Sequence, residues 1–190
     1  MNLSRVLPYA KELLEKVIEP GGVAVDATVG NGHDTLFLAK LVGENGRVYG
    51  FDIQEQAIEK TLERLKDEGM ADRAEIHLRS HADIKQVVPQ EKHGQIHAAV
   101  FNLGYLPGSD KEVITKPDST LNAIEGLLDI LKPGGLIVLV VYYGHEGGNE
   151  EKEALMTYLH ELDQTKAHVL QYQFLNQKNN PPFLIAIEKR

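Results

Sequence analysis

The segment Phe101-Asn102-Leu103-Gly104-Tyr105-Leu106-Pro107-Gly108 directly follows the apolar run His97-Ala98-Ala99-Val100. A polar amide at the mouth of a buried strand, then a glycine and an aromatic ring, is a set of parts for holding a ligand. The Asn102 amide can position a polar group, Gly104 lets the backbone approach closely, and Tyr105 can wall a flat ligand. A second stretch, Asn180-Pro181-Pro182-Phe183, carries an amide and a ring with two prolines between them.

A third group of residues lies near the start of the chain. Asp26-Ala27-Thr28-Val29-Gly30-Asn31-Gly32-His33-Asp34-Thr35 follows a short apolar run, and its two glycines permit a sharp turn and close backbone approach. A helix that starts at Asp34 or Thr35 turns its free amides and positive end toward whatever the loop holds. Asp26 offers a carboxylate to an ammonium group, or it caps the helix. Asp52, twenty positions after Gly32, stands where α/β nucleotide sites bind ribose hydroxyls, with Gln54 beside it, or it makes an Asx turn. Ser80-His81-Ala82-Asp83 follows a third apolar run. Ser80 and His81 are equally suited to capping a helix, and His81, Ala82 and Asp83 to touching an adenine ring.

These residues need elements to position them, and the pattern supplies an alternation. Strands are expected near 23–25, 47–51, 74–78, 97–101, 136–141, 168–175 and 183–188. Helices are expected over 34–42, 54–68, 119–131 and 150–162, and residues 1–17 read as an amphipathic helix broken early by Pro8. Alternation of this kind predicts an α/β fold with a mostly parallel seven-stranded sheet and helices on both faces. The connection between the last two strands is short, so they must pair antiparallel. With 190 residues, no repeat and no linker, a single domain over 1–190 is expected.

Composition narrows the chemistry. The chain has no cysteine, which excludes disulfides and thiolate chemistry and fits a reducing, cytoplasmic setting. No recognisable metal-ligand spacing occurs among the eight histidines, and no metal is expected. The longest apolar run is too short to cross a bilayer. A net charge of −8 argues against broad nucleic-acid binding but leaves room for a local basic rim.

Acids after strands one and two and a polar turn after strand three match the two ends of S-adenosyl-L-methionine. On these residues the chain resembles the class I S-adenosylmethionine-dependent methyltransferases. Their first motif has a glycine where this chain has Thr28. Asp-Ala-Thr followed by Gly-Asn-Gly-His-Asp-Thr is similar to the YtqB-type (MnmM) group. So are the segment 101–108, Lys116-Pro117-Asp118-Ser119-Thr120, Tyr142-Tyr143-Gly144-His145 and Asn179-Asn180-Pro181-Pro182-Phe183.

The resemblance implies N-methylation of the 5-aminomethyl group of 2-thiouridine at the wobble position, with the tRNA anticodon arm as partner. It implies cofactor contacts at Asp26, Thr28, Gly30, Asn31, Gly32, Asp34, Thr35, Asp52, Gln54, Ser80, His81, Asp83, Asn102, Leu103 and Gly104. Asn102 would hold the amine and Tyr105 would wall the pocket. Either His145 or His33 in the neutral form, or water, would take the amine's proton. Lys111 and Lys116, on a long connection read as a lid, together with Tyr142 and Asn180, would touch substrate, while 180–183 could equally be a rigid turn. A small core reading an anticodon arm suggests a homodimer. Alternative readings are a methyltransferase for ribosomal RNA or a small amine, a non-catalytic binder of the cofactor, and an NAD-dependent oxidoreductase.

Overall fold

The structure is a computed structural model and describes residues 2–104, 116–145 and 147–190. Seven strands form one sheet in the order β3-β2-β1-β4-β5-β7-β6. They are β1 (Val23–Asp26), β2 (Arg47–Asp52), β3 (Ala74–Leu78), β4 (Ile96–Leu103), β5 (Leu131–Val141), β6 (Ala167–Tyr172) and β7 (Phe183–Lys189). The first five are parallel, and β7 runs antiparallel to both β5 and β6, as the short 172–183 connection requires.

The helices are α1 (Val6–Val17), α2 (His33–Val42), α3 (Glu55–Asp67), a single turn α4 (Ile84–Val87), α5 (Pro117–Ile130) and α6 (Gly148–Glu161). One apolar layer joins α1, α2 and α3 to one face of the sheet, through residues such as Leu14, Leu38, Leu65, Ala98, Val100 and Val138. The other joins α4, α5 and α6 to the opposite face, through Ile84, Phe101, Leu127, Leu139 and Leu155. Strand β4 alternates its apolar side chains between the two layers, so both faces are covered and the strand reads as a continuous hydrophobic run.

Several elements differ from the expected bounds: β6 ends at Tyr172 and not near 175, and β4 runs on to Leu103. Pro8 does not break α1, because it falls in the first turn, where a missing N–H removes no intrahelical bond. Helix α5 begins at Pro117 and ends at Ile130, short of the Pro133-Gly134-Gly135 punctuation. Strand β5 starts at Leu131, opposite Ile96, and regular pairing resumes at Leu136 after the intervening segment departs from the ladder. Among the described residues, no helix is long and apolar enough to cross a membrane.

The strand order reverses between β1 and β4. Chain progress from β1 to β3 moves outward one way, and β4 then returns to the other side of β1. The crevice beyond their carboxyl ends is where ligands bind in open α/β sheets. Asp26 pairs in register with Val100 there, which brings the 26–35 loop and Asn102 to one place.

Candidate active site

The 26–35 loop is held by its own polar side chains. Asp26, fully buried, accepts from the Thr28 amide at 3.2 Å and from the Thr35 hydroxyl at 2.6 Å. Burial first, and then the charges of Asp34 and Asp52, push its carboxyl from the ordinary 3.8 to about 7. Asp26 was expected to face an ammonium group. Both its oxygens instead tie the end of β1 to the first turn of α2, which makes it a residue that shapes the loop.

Asp52 accepts from the Gln54 amide at 2.9 Å, an Asx turn at the entry to α3, and from the Gly30 amide at 2.9 Å. The second bond bears on ligand chemistry. In a dinucleotide loop the glycine amide is left for a phosphate. Here a carboxylate occupies it, and Asp26, Asp34 and Asp52 surround the loop. A pyrophosphate would be repelled, whereas a cationic ligand such as a sulfonium with an ammonium group fits this field.

Gly32 closes the loop in the left-handed region at φ 76° and caps α2. A Cβ there would stand 2.7 Å from the Thr61 Oγ1 and 3.0 Å from its Cα. Gly32→Ala is therefore expected to destabilise the fold by about 2–4 kcal/mol, from backbone strain plus overpacking. Thermal unfolding measures the loss, and Thr61→Ala in the same chain should recover part of it. Thr61 and Arg64 of α3 were not foreseen from the sequence. Thr61 donates to the Gly30 carbonyl at 3.3 Å, and the Arg64 Nε donates to the Asn31 carbonyl at 2.8 Å. No local signal marks them, because they lie some thirty residues from their partners.

Asn102 is the last polar side chain of β4. Its backbone N–H donates to the Thr28 hydroxyl at 2.7 Å, and its Nδ2 donates to the Asp34 Oδ2 at 2.6 Å. The side-chain orientation is assigned from this bond, and it leaves the Oδ1 turned away from Asp34. Thr28, which stands where the generic motif has glycine, is thus used to anchor the substrate-side strand. Gly104 has φ 146°, and a Cβ on it would come within 3.2 Å of the Tyr142 Cβ and 3.6 Å of the His145 Cε1. Asn102, Gly104, Tyr142 and His145 therefore share one mouth.

Tyr142 is half-exposed, and burial, followed by the Asp34 charge, raises its phenol above the usual value, so it stays a donor at neutral pH. Asn180, with φ 49°, joins the same rim: a Cβ on Gly144 would lie 3.6 Å from the Asn180 Cβ. Tyr143 points the other way, buried edge-on against Phe183 at 5.7 Å with the Lys152 ammonium 4.4 Å above its ring.

Other expected cofactor contacts have structural roles. The Ser80 hydroxyl accepts from the Ala82 amide at 3.2 Å and so caps the short turn 81–83. His81 is buried, with Nδ1 3.1 Å from the Ala27 carbonyl and Nε2 3.2 Å from the Ser119 hydroxyl. Its ring packs edge-on to Phe101 and bridges the β1 loop to α5. Burial lowers its readiness to take a proton. The Leu103 side chain is fully buried, so only its backbone can face a ligand, and its carbonyl already accepts from the Tyr142 amide at 3.0 Å. Asp83 is half-exposed beside Lys85 and Asn122 in a groove of about 410 Å³. Lys116 is exposed and precedes α5, whose first turn is bonded to its carbonyl. Tyr105 and Lys111 lie outside the described residues.

With this geometry in hand, the chain can be set beside known proteins. Residues 48–188 match the family described as "Putative rRNA methylase". The chain is 40% identical over 184 residues to the chloroplastic tRNA (mnm(5)s(2)U34)-methyltransferase of Arabidopsis thaliana, covering 93% of this chain and 66% of that relative. It superposes on an rRNA-methylase of the same description from Clostridium thermocellum with a TM-score of 0.96 and 40% identity, over the full length of both chains. A Streptococcus mutans protein solved in complex with SAH superposes with a TM-score of 0.89 and 42% identity over 99% of each chain. The switch-point crevice, the acid-lined glycine loop and these likenesses agree: the chain has the class I methyltransferase fold and belongs to the "Putative rRNA methylase" family.

Proposed function

We propose that this protein methylates the aliphatic amine of 5-aminomethyl-2-thiouridine at the tRNA wobble position, using S-adenosyl-L-methionine. The observation that carries the reading is the Asn102 clamp. With Nδ2 committed to Asp34 and the backbone to Thr28, Oδ1 is the group left to accept from an incoming amine. The Arabidopsis relative's wobble-uridine name supports the choice of substrate.

The residues fit the cofactor through charge. Gly30, Gly32, Asp34, Asp52 and Gln54 would hold it, and the Asp34 and Asp52 carboxylates favour its cationic groups. The bound cofactor supplies a methyl group on a positively charged sulfur, ready for in-line displacement. The protein's own task is alignment and proton removal. Asn102 orients the amine lone pair, Tyr142 and Tyr105 wall the base, and Gly104 lets the backbone come close.

An aliphatic amine is protonated at neutral pH and must lose that proton before it attacks. Two histidines are candidates for accepting it. His33 faces the Arg64 guanidinium at 3.5 Å, on the α3 side of the loop. His145 lies beside Gly104 at the mouth, and we assign it the proton-acceptor role. Lys111, Lys116 and Asn180 complete the substrate side, and the reading includes a cytoplasmic protein acting as a homodimer on the anticodon arm.

Nucleoside mass spectrometry of tRNA from cells lacking the protein tests this. Unmethylated 5-aminomethyl-2-thiouridine should accumulate, and an unchanged profile refutes the reading. The family description favours ribosomal RNA as the second candidate. Methylation of purified ribosomal RNA, but not of tRNA, would establish that alternative.

A further inference from the structure

The protein's acids are unevenly spread. None of its 28 Asp and Glu falls in residues 164–187, which carry Lys166 and Lys178. This stretch is nearly the whole of β6, the connection after it, and β7. In a chain of net charge −8, a stretch of this length without a carboxylate adds no repulsion of its own toward a polyanion. The connection is also rich in amides, with Asn176, Gln177, Asn179 and Asn180 all exposed.

The sheet register sets this hairpin beside the site. Asn102 pairs with Val140, Val140 with Leu184, and Leu184 with Tyr172. The row spans three strand spacings, or ~14 Å, the length of about four stacked nucleotides. Val140, Leu184 and Tyr172 all pack toward the α1–α2 layer, the layer that also receives Ala98 and Val100 ahead of Asn102.

The Tyr172 ring lies 4.3 Å from Tyr9 and 5.8 Å from Phe174, and its hydroxyl donates to the Ser4 carbonyl at 2.7 Å. All three rings are partly exposed. Leu175, just beyond them, is 93% exposed. Arg5, the extended residue that caps α1, accepts from the Tyr9 amide through its carbonyl and adds a cation at that end of the helix.

We infer that Tyr9, Tyr172, Phe174 and the 173–182 connection form a stacking platform for unpaired RNA nucleotides that flank the one being methylated. The inference rests on the proposed function and adds where the rest of the RNA lies. Aromatic faces stack bases without regard to sequence, amides meet base edges and ribose hydroxyls, and Arg5 and Lys178 meet phosphates. The acid-free 164–187 stretch is what favours RNA over an ordinary protein partner here, the carboxylate close by being Glu12, which accepts from the Ser4 hydroxyl at 2.5 Å.

The test measures binding of an anticodon stem-loop RNA by fluorescence anisotropy. Phe174→Ala should weaken RNA affinity about tenfold, and Lys178→Glu should weaken it and flatten its salt dependence. S-adenosylmethionine affinity and thermal midpoint should stay at wild-type values in both, which excludes a folding defect. RNA affinity within twofold of wild type in both variants overturns the platform, as does an equal loss of cofactor affinity. Leu175→Ser converting a dimer to a monomer, read by light scattering, would assign the surface to a second copy instead and also overturn it. If wild type methylates tRNA while the variants keep its KM, the platform falls and the proposed function stands. If wild type methylates no tRNA, both fall.

Discussion

Asn102→Ala is expected to lower the rate of methyl transfer by about two to three orders of magnitude, the loss typical when one preorganised polar group is removed from a reacting centre. The deletion leaves the backbone bond to Thr28 intact, so β4 and the loop stay in place. Cofactor affinity should therefore change far less than turnover. Single-turnover rates, measured beside equilibrium cofactor binding, separate the two effects. A variant that turns over normally would show that Asn102 does not hold the amine. Asn102→Asp is a sharper probe. It puts a second carboxylate where the amide now donates to Asp34 at 2.6 Å, and two such groups cannot both stay ionised. The pair should take up a proton near neutrality, which makes cofactor binding depend on pH where the wild type shows no such dependence from this pair.

The second large effect concerns Asp26. Its carboxyl holds a proton up to about 7 in the folded chain but only to 3.8 when unfolded, because burial and two neighbouring carboxylates oppose its charge. The folded state therefore binds more protons than the unfolded state across that window. The contribution is fully present below pH ~4 and is lost as pH rises through ~7, for a total of roughly 4 kcal/mol. Stability of the free protein should fall between pH 5 and pH 8 by most of that amount. Asp26→Asn carries no titrating proton, and its amide can meet both Thr28 and Thr35 by exchanging donor and acceptor at Thr35. Urea unfolding at a series of pH values should show the wild-type slope and a flatter curve for the variant. Parallel curves would mean that Asp26 is already ionised in the folded protein.

Reading the chain as an alternating α/β sequence recovered the strands and most helices because those signals are local. Val-rich runs bounded by glycine and proline report burial and turns within a few residues. The places where it went astray have equally local causes. Proline was read as a breaker at Pro8, where the first helical turn tolerates it, and as a stop at Pro133, where the helix had already ended at Ile130. Ser80 and His81 carry types that suit both capping and ligand contact. The structure gives Ser80 a cap and His81 a buried bridge, because the Ala27 carbonyl and Ser119 converge on the imidazole from elements 54 and 38 residues away.

The kind of site is legible along the chain: a two-glycine turn after one strand, acids at the ends of two strands, and an amide and a ring after a fourth. Turn chemistry and strand ends are set by neighbouring residues. What those residues do to one another depends on contacts made across the folded sheet. Asp34 meets Asn102 across 68 residues, Asp52 takes the Gly30 amide across 22, and Thr61 backs Gly32 from the next helix. Such contacts exist only once the sheet has closed in its 3-2-1-4-5-7-6 order, since no local propensity specifies which distant donors and acceptors will share a buried crevice.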